Sequence, residues 1–103
     1  MIPIDEAYAA AAAPNPDAAK NGRALAAGNR LSDLRVSGDG ALIFGHCRGS
    51  GREPYRVSSD FARADQPTHR CTCPSRQHPC KHVLGLLYAY ALGKPFTPAP
   101  VPA

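Results

Sequence analysis

A cluster of three cysteines and one histidine within residues 71–82 constrains this chain more than any other feature. The pattern is Cys71-x-Cys73, a spacer, and then Cys80-x-His82. Three thiolates and one imidazole form a complete ligand set for structural zinc, which takes four nitrogen or sulfur donors in a closed tetrahedron. Four protein ligands leave no coordination position for a catalytic water. The pattern therefore predicts one structural Zn²⁺ held by these four side chains.

Each half of the pattern also predicts its own backbone conformation. Side chains alternate between faces along an extended segment, so Cys71 and Cys73 are expected to point the same way. Residues i and i+2 do not face each other on a helix. We therefore expect Cys80 to precede a helix and His82 to lie in its first turn, with Pro79 keeping the chain out of helix just before Cys80.

The residues around the cluster resemble a SWIM-type zinc finger. The similarity is carried by the runs 73–76 (Cys-Pro-Ser-Arg) and 79–87 (Pro-Cys-Lys-His-Val-Leu-Gly-Leu-Leu), and the four ligand positions match the family pattern one for one. The run 54–57 (Pro-Tyr-Arg-Val) resembles the strand that precedes the motif in bacterial members. The similarity covers roughly residues 31 to 93. It implies a zinc-binding module, of a family generally thought to bind DNA or protein.

Alternatives exist for individual residues of the cluster. The cysteines could be ordinary small buried residues or a disulfide framework, although paired cysteines would not require His82. His78 also lies between the cysteines and is a rival ligand. His82 is preferred because Cys-x-His leading into a helix fits the SWIM pattern. Cys47 is predicted to be a strand residue of the core or surface, since structural zinc rarely takes a fifth donor.

The patterns along the chain predict an α+β fold. We expect a small zinc-stabilised antiparallel β-meander of about four strands, followed by one C-terminal helix and preceded by an Ala-rich helical segment. The strands are expected near 34–36, 41–48, 55–61 and 69–72, and the helix from Cys80 or Lys81 to Leu92. The division is an N-terminal helical segment (1–30), a zinc-binding domain (31–93, with its zinc unit at 54–93) and a Pro-rich linker or tail (94–103). A linker at the end would make the chain the N-terminal piece of a longer protein.

Both predicted helical regions raise a packing question. Asn15 and Pro16 favour a helix start, and Gly28-Asn29 favours its end, but Leu25 is the only large apolar residue between them. That helix is expected on the surface of the domain or against a part of the protein beyond this chain. The helix after Cys80 is apolar on two sides. One side is expected to pack on the sheet and the other to meet the N-terminal segment or a missing partner.

Charge is unevenly distributed along the chain. The net charge is +4, with −1 in residues 1–45 and +5 in residues 46–103. The basic half favours phosphate contact. The helix carries no Arg, Asn, Gln or Ser between Val83 and Leu92, so any DNA contact is expected to come from loops and strands and to be weakly sequence-specific. The candidate nucleic-acid-binding residues are Arg48, Arg52, Arg56, Arg63, Arg70, Arg76 and Lys81.

Composition bounds the remaining expectations. Hydrophobic residues make up 44% of the chain, but alanine dominates them and there is no Trp. Such a lean core predicts that the zinc unit folds only with metal. No signal sequence or membrane span is evident, so we expect a cytoplasmic protein, monomeric as an isolated domain. We expect no enzymatic activity, no small-molecule substrate and no membrane partner. A protein partner is preferred, and nucleic acid is the alternative.

Overall fold

The computed structural model describes residues 4–49, 53–63, 66–73 and 79–99. Within these residues the chain forms three helices and five strands. The elements are α1 (Glu6–Ala12), α2 (Pro16–Ala27), β1 (Leu31–Ser37), β2 (Leu42–Cys47), β3 (Tyr55–Asp60), β4 (Thr68–Cys71), α3 (Lys81–Ala91) and β5 (Thr97–Ala99). The α+β class is confirmed, with a mixed sheet.

Local capping signals explain the ends of α2 and α3. The Asn15 side chain accepts a hydrogen bond from the backbone N–H of Ala18 at 2.8 Å, as an N-cap does. Asn29, with φ of 57°, ends α2, and Gly93, with φ of 79°, ends α3. In α3 the backbone N–H of Lys94 then donates to the carbonyl of Ala89 at 3.0 Å, which closes a Schellman motif. The predicted bounds of α2 are therefore confirmed.

The sheet has the strand order β4-β3-β2-β1-β5 across the described residues. The first four strands form the antiparallel meander that the sequence predicts. The predicted strand count was wrong, because β5 pairs with β1 in parallel. Part of the segment expected to be a linker is therefore a strand.

Local contacts explain why this Pro-rich segment joins the sheet. The rings of Tyr90 and Phe96 meet with their centroids 5.2 Å apart. The Lys94 ammonium donates to the Asn29 side-chain carbonyl at 3.2 Å. A proline such as Pro98 is tolerated on an edge strand, where its missing N–H faces no second neighbour. Residues 100–103 of the predicted tail lie outside the described residues.

Helix α3 is the centre of the fold, between the sheet on one side and α1 and α2 on the other. Its residues 82–89 are all buried. Helix α2 packs against α3 through the small residues Ala18, Gly22 and Ala26, all buried. An added Cβ at Gly22 would lie only 2.6 Å from the Cβ of Leu84. The second apolar side of α3 therefore meets the N-terminal segment, and the fold has helices before the sheet as well as after it.

The sheet covers α3 with one face and leaves the other open. Along β2, Ile43 and Cys47 are fully buried toward α3. Leu42 and Phe44 alternate with them and point to the other side, where they are only partly covered. Along β3, Val57 and Ser59 point inward and are buried. These two faces place the metal-ligand cluster at one end of the sheet and a separate open surface on its far side.

Candidate metal centre and open sheet face

The first ligand pair follows from the end of strand β4. Cys71 is the last residue of β4, and the chain remains bound to β3 one residue further. There the backbone N–H of Thr72 donates to the carbonyl of Arg56 at 3.1 Å. The Thr72 hydroxyl in turn accepts from the backbone N–H of Arg56 at 3.0 Å. These two hydrogen bonds keep the backbone extended between Cys71 and Cys73, so both thiols face the same side.

The second ligand pair belongs to the start of α3. Cys80 is the N-cap, with an extended backbone (ψ of 170°), and His82 is the second helical residue. The predicted placement of both residues is confirmed. Cys80 is 4% exposed and His82 is 6% exposed, so the protein rather than solvent fixes their positions.

The four donor atoms lie close enough to share one ion. The sulfurs of Cys71, Cys73 and Cys80 and a ring nitrogen of His82 all lie within 4.8 Å of one another. His82 Nδ1 is 3.9 Å from the Cys71 sulfur and 3.8 Å from the Cys80 sulfur. A tetrahedron built on usual Zn–S and Zn–N bond lengths has edges of about 3.5–3.8 Å. The donor set therefore fits zinc in both chemistry and spacing.

Hydrogen bonds within the cluster favour the thiolate form of Cys80. The hydrogen bond with the Cys71 thiol lowers the pKa of the Cys80 thiol to about 3, and bonds from His82 and the backbone N–H of Val83 add to this. Cys71 is the donor of this hydrogen bond, and the bond therefore raises the pKa of the Cys71 thiol. The backbone N–H of Cys73 donates to the Cys71 sulfur at 3.4 Å. A helix N-terminus beside Cys80 further favours negative charge.

A second layer of residues orients the histidine, and the sequence alone did not reveal it. The Tyr55 ring packs on the His82 ring with centroids 4.7 Å apart and planes tilted by 50°. Gly49 closes the same corner, where an added Cβ would clash with the Tyr55 ring and lie 3.3 Å from His82 Nε2. Contacts of this kind fix the ring orientation of a metal-bound histidine. The only sequence signal was the run 54–57 as a strand next to the motif.

Among the described residues, Cys47, His46 and His69 are not part of this donor set. Cys47 is fully buried in β2, and burial raises the pKa of its thiol to about 11. His69 is buried, and its Nδ1 is 2.8 Å from the Ser59 hydroxyl. His46 Nδ1 lies 3.0 Å from an Asp33 carboxylate oxygen on the surface. The rival ligand His78 lies outside the described residues.

The candidate nucleic-acid-binding residues divide into three groups. Arg56 and Arg70 are exposed on the open side of the sheet, where they line a shallow concavity. Arg48, Arg63 and Lys81 are exposed elsewhere on the surface. Arg52 and Arg76 lie outside the described residues.

The concavity on the open side of the sheet has a volume of about 1130 Å³. We name this surface the open face, and its lining includes Arg35, Leu42, Phe44, His46, Arg56, Ser58, Arg70 and Thr72. Arg35 and Phe44 were not predicted as site residues. The period-2 pattern of β2 already placed Leu42 and Phe44 on one side, but the strand register was needed to set them beside the arginines.

Residues 55–91 match the family model of the SWIM zinc finger. No curated protein and no solved structure gives a significant match to the chain. Among the helices of the described residues, none combines the length and the apolar character needed to cross a bilayer. Residues 55–91 are thus similar to a SWIM zinc finger, and within them Cys71, Cys73, Cys80 and His82 are positioned to bind one zinc ion.

Proposed function

We propose that this chain is a structural zinc module that binds nucleic acid through its open face, with weak sequence specificity. The observation that carries the proposal is the alignment of Arg35, Arg56 and Arg70 on one exposed sheet surface. Guanidinium groups on one surface suit phosphate contact. In this proposal the zinc finger binds rather than catalyses, since its four ligands leave no coordination position for water.

Zinc has an indirect role in this proposal. Cys71 and Cys73 fix the end of β4, and β4 carries Arg70 in register with Ser58 of β3. Loss of the metal would release that edge of the sheet from α3. Nucleic-acid binding is therefore expected to require zinc, because the metal holds the strand that carries Arg70.

Weak specificity is expected because α3 cannot read bases. Its residues 82–89 are buried between the sheet and the N-terminal helices, whereas a recognition helix must present polar side chains to a groove. Three arginines contacting phosphates would give a salt-dependence slope of about −2 to −3 on a double-logarithmic plot. Base-edge contacts are not part of this proposal.

A protein partner is the second candidate, and the packing of the helices reduces its support. The second apolar side of α3, which favoured protein docking, is covered by α1 and α2. Part of the Pro-rich tail, another favourable feature, is strand β5. What still favours a protein partner is the partly exposed apolar pair Leu42 and Phe44 on the open face.

The test is fluorescence anisotropy of the zinc-loaded chain with a labelled DNA duplex and its separate strands over a range of salt concentrations. Arg70→Gln is expected to weaken binding and to reduce the salt slope by about 1. Arg23→Gln is the matched control, because Arg23 lies on α2 in a surface ion pair with Glu6 at 2.8 Å and loses the same charge. Equal effects of the two variants would refute the open face as the binding surface. If no DNA binds at low salt, the nucleic-acid proposal fails and the protein partner becomes the candidate.

A further inference from the structure

We propose that the open face prefers single-stranded nucleic acid, with the Phe44 ring stacking on an unpaired base. This inference rests on the proposed function and names the form of nucleic acid that the same surface takes. It depends on the register of the sheet, the placement of Phe44 and the width of the surface.

The strand register aligns a basic and aromatic row across four strands. Arg35 of β1 is opposite Phe44 of β2, Phe44 is opposite Ser58 of β3, and Ser58 is opposite Arg70 of β4. Neighbouring strands are about 4.8 Å apart, so the two arginines stand about 14 Å apart with the aromatic ring between them. One guanidinium on each side of a ring suits a chain whose phosphates flank a stacked base.

Phe44 occupies a position that the packing of the core does not explain. Its neighbour Ile43 is fully buried in the core, while Phe44 is partly exposed and lines the concavity on the other side. It is not among the apolar side chains that pack against the core. A partly exposed aromatic ring on an open sheet is the kind of platform on which RNA- and single-strand-binding sheets stack bases.

Charge varies along the strands of this face. The row next to the aromatic one, on the side nearer the zinc ligands, pairs His46 with Arg56, and the Asp33 carboxylate, 3.0 Å from His46 Nδ1, also lines the concavity there. The row on the opposite side pairs Leu42 with the exposed Asp60. The favourable path for a polyanion therefore runs across the strands through Arg35, Phe44 and Arg70, close to the zinc end.

The width of the surface argues against a duplex. A five-stranded sheet spans about 19 Å between its edge strands, which exceeds the major groove of B-DNA at about 12 Å. The sheet can then touch only the backbone of a duplex. The flat faces of the bases in a duplex are covered by their stacked neighbours and are not accessible to the Phe44 ring. An unpaired base can enter the concavity and present its face to the ring.

The test compares one labelled oligonucleotide with its duplex, both titrated with the zinc-loaded full chain. The single strand is expected to bind about 5-fold tighter or more, as one stacked base predicts. Phe44→Leu keeps an apolar side chain and is expected to weaken single-strand binding at least 5-fold more than it weakens duplex binding. Phe44→Tyr keeps the ring and is expected to restore single-strand binding.

A spectroscopic variant removes any dependence on the folding of Phe44→Leu. The chain contains no tryptophan, so Phe44→Trp introduces a single reporter. Stacking on a base is expected to quench its fluorescence with single strands but not with duplex. If strands and duplex bind equally, or if the fluorescence does not respond to single strands, the stacking inference is overturned and the proposed function stands. If neither form of DNA binds, the proposed function itself fails.

Discussion

The contact between α2 and α3 predicts a sharp response to one added methyl group. Gly22 is buried where the two helices touch. In Gly22→Ala the new Cβ would lie 2.6 Å from the Cβ of Leu84, 3.1 Å from its carbonyl carbon and 3.2 Å from the backbone nitrogen of Gly85. Carbon atoms in good contact are about 3.5–4.0 Å apart. Helix α2 must therefore move away from α3 by about 1 Å.

Two opposing effects set the size of the loss. Overpacking in a core costs about 1–3 kcal/mol, and the upper part of that range applies here because backbone atoms and a Cβ cannot rotate away. Alanine is favoured over glycine inside a helix by about 1 kcal/mol. The expected net loss in the free energy of unfolding is about 1–2 kcal/mol, or a fall in Tm of about 5–15 °C.

Urea unfolding and a thermal melt of the zinc-loaded chain measure this loss. Asn21→Ala is the matched control, because Asn21 precedes Gly22 in α2 but is exposed. The control gains helix propensity without a clash, so its stability is expected to stay equal or rise slightly. A Gly22→Ala variant that is as stable as the wild type, or more stable, would refute the close packing of α2 on α3.

Two further predictions concern the surroundings of the metal site. Gly49→Ala places a Cβ against the Tyr55 ring and 3.3 Å from His82 Nε2. Zinc affinity, measured by competition with a chelator, is therefore expected to fall about 10-fold or more. Gly38→Ala is the control, because its new Cβ meets nothing within 4 Å, and equal zinc affinities of the two variants would count against a role of Tyr55 and Gly49 in orienting His82. Burial raises the pKa of Cys47 to about 11, so the folded state holds this proton more tightly than the unfolded state. The stability that the protonated Cys47 thiol contributes is fully present below the pKa of the thiol in the unfolded chain, near 8.5, and is lost as pH rises toward 11. The Cys47→Ala variant is expected to lack that alkaline loss in pH-dependent urea unfolding while still binding one zinc. Failure of this variant to bind zinc would indicate that Cys47 is a metal ligand.

The metal site was predictable because its information is local. Cys71 and Cys73 needed only an extended segment, and Cys80 and His82 needed only the start of a helix. Capping is local in the same way, which is why Asn15 and Asn29 marked the ends of α2 correctly. The Tyr55 ring on His82 was not predictable, since that contact joins positions whose approach depends on the whole sheet.

Non-local pairing accounts for what the sequence did not reveal. Strand β1 was expected only near 34–36, and in the structure Asp33, with φ of 51°, interrupts the regular strand backbone just before it. The pairing with β2 shifts register between Ser32 and Arg35, and the strand continues on both sides of Asp33, over Leu31–Ser37. Strand β5 was hidden by proline content, which signals extended backbone without indicating a pairing partner. The register of β1 against β2 was needed to align Arg35 with Phe44.

The packing of α2 shows how small residues can hide an interface in a sequence. Leu25 is the only large apolar side chain of this helix, so the sequence offered little reason to bury it. Close packing uses Ala18, Gly22 and Ala26 instead, at a spacing of four residues that places them on one helix side. The stabilisation comes from close contact between backbones rather than from large side chains.

Titration of the metal-free chain with Co²⁺, followed by visible absorbance, shows directly whether the chain holds one tetrahedral metal ion through its thiolates. Cobalt replaces zinc in tetrahedral sites and reports its geometry through its d–d bands and its thiolate ligands through charge transfer. The predicted result is saturation at one ion per chain, intense tetrahedral bands and a charge-transfer intensity that falls by about one third in Cys80→Ser. Weak six-coordinate bands, a different stoichiometry or a spectrum unchanged in Cys80→Ser would contradict a single site built from three thiolates and one imidazole.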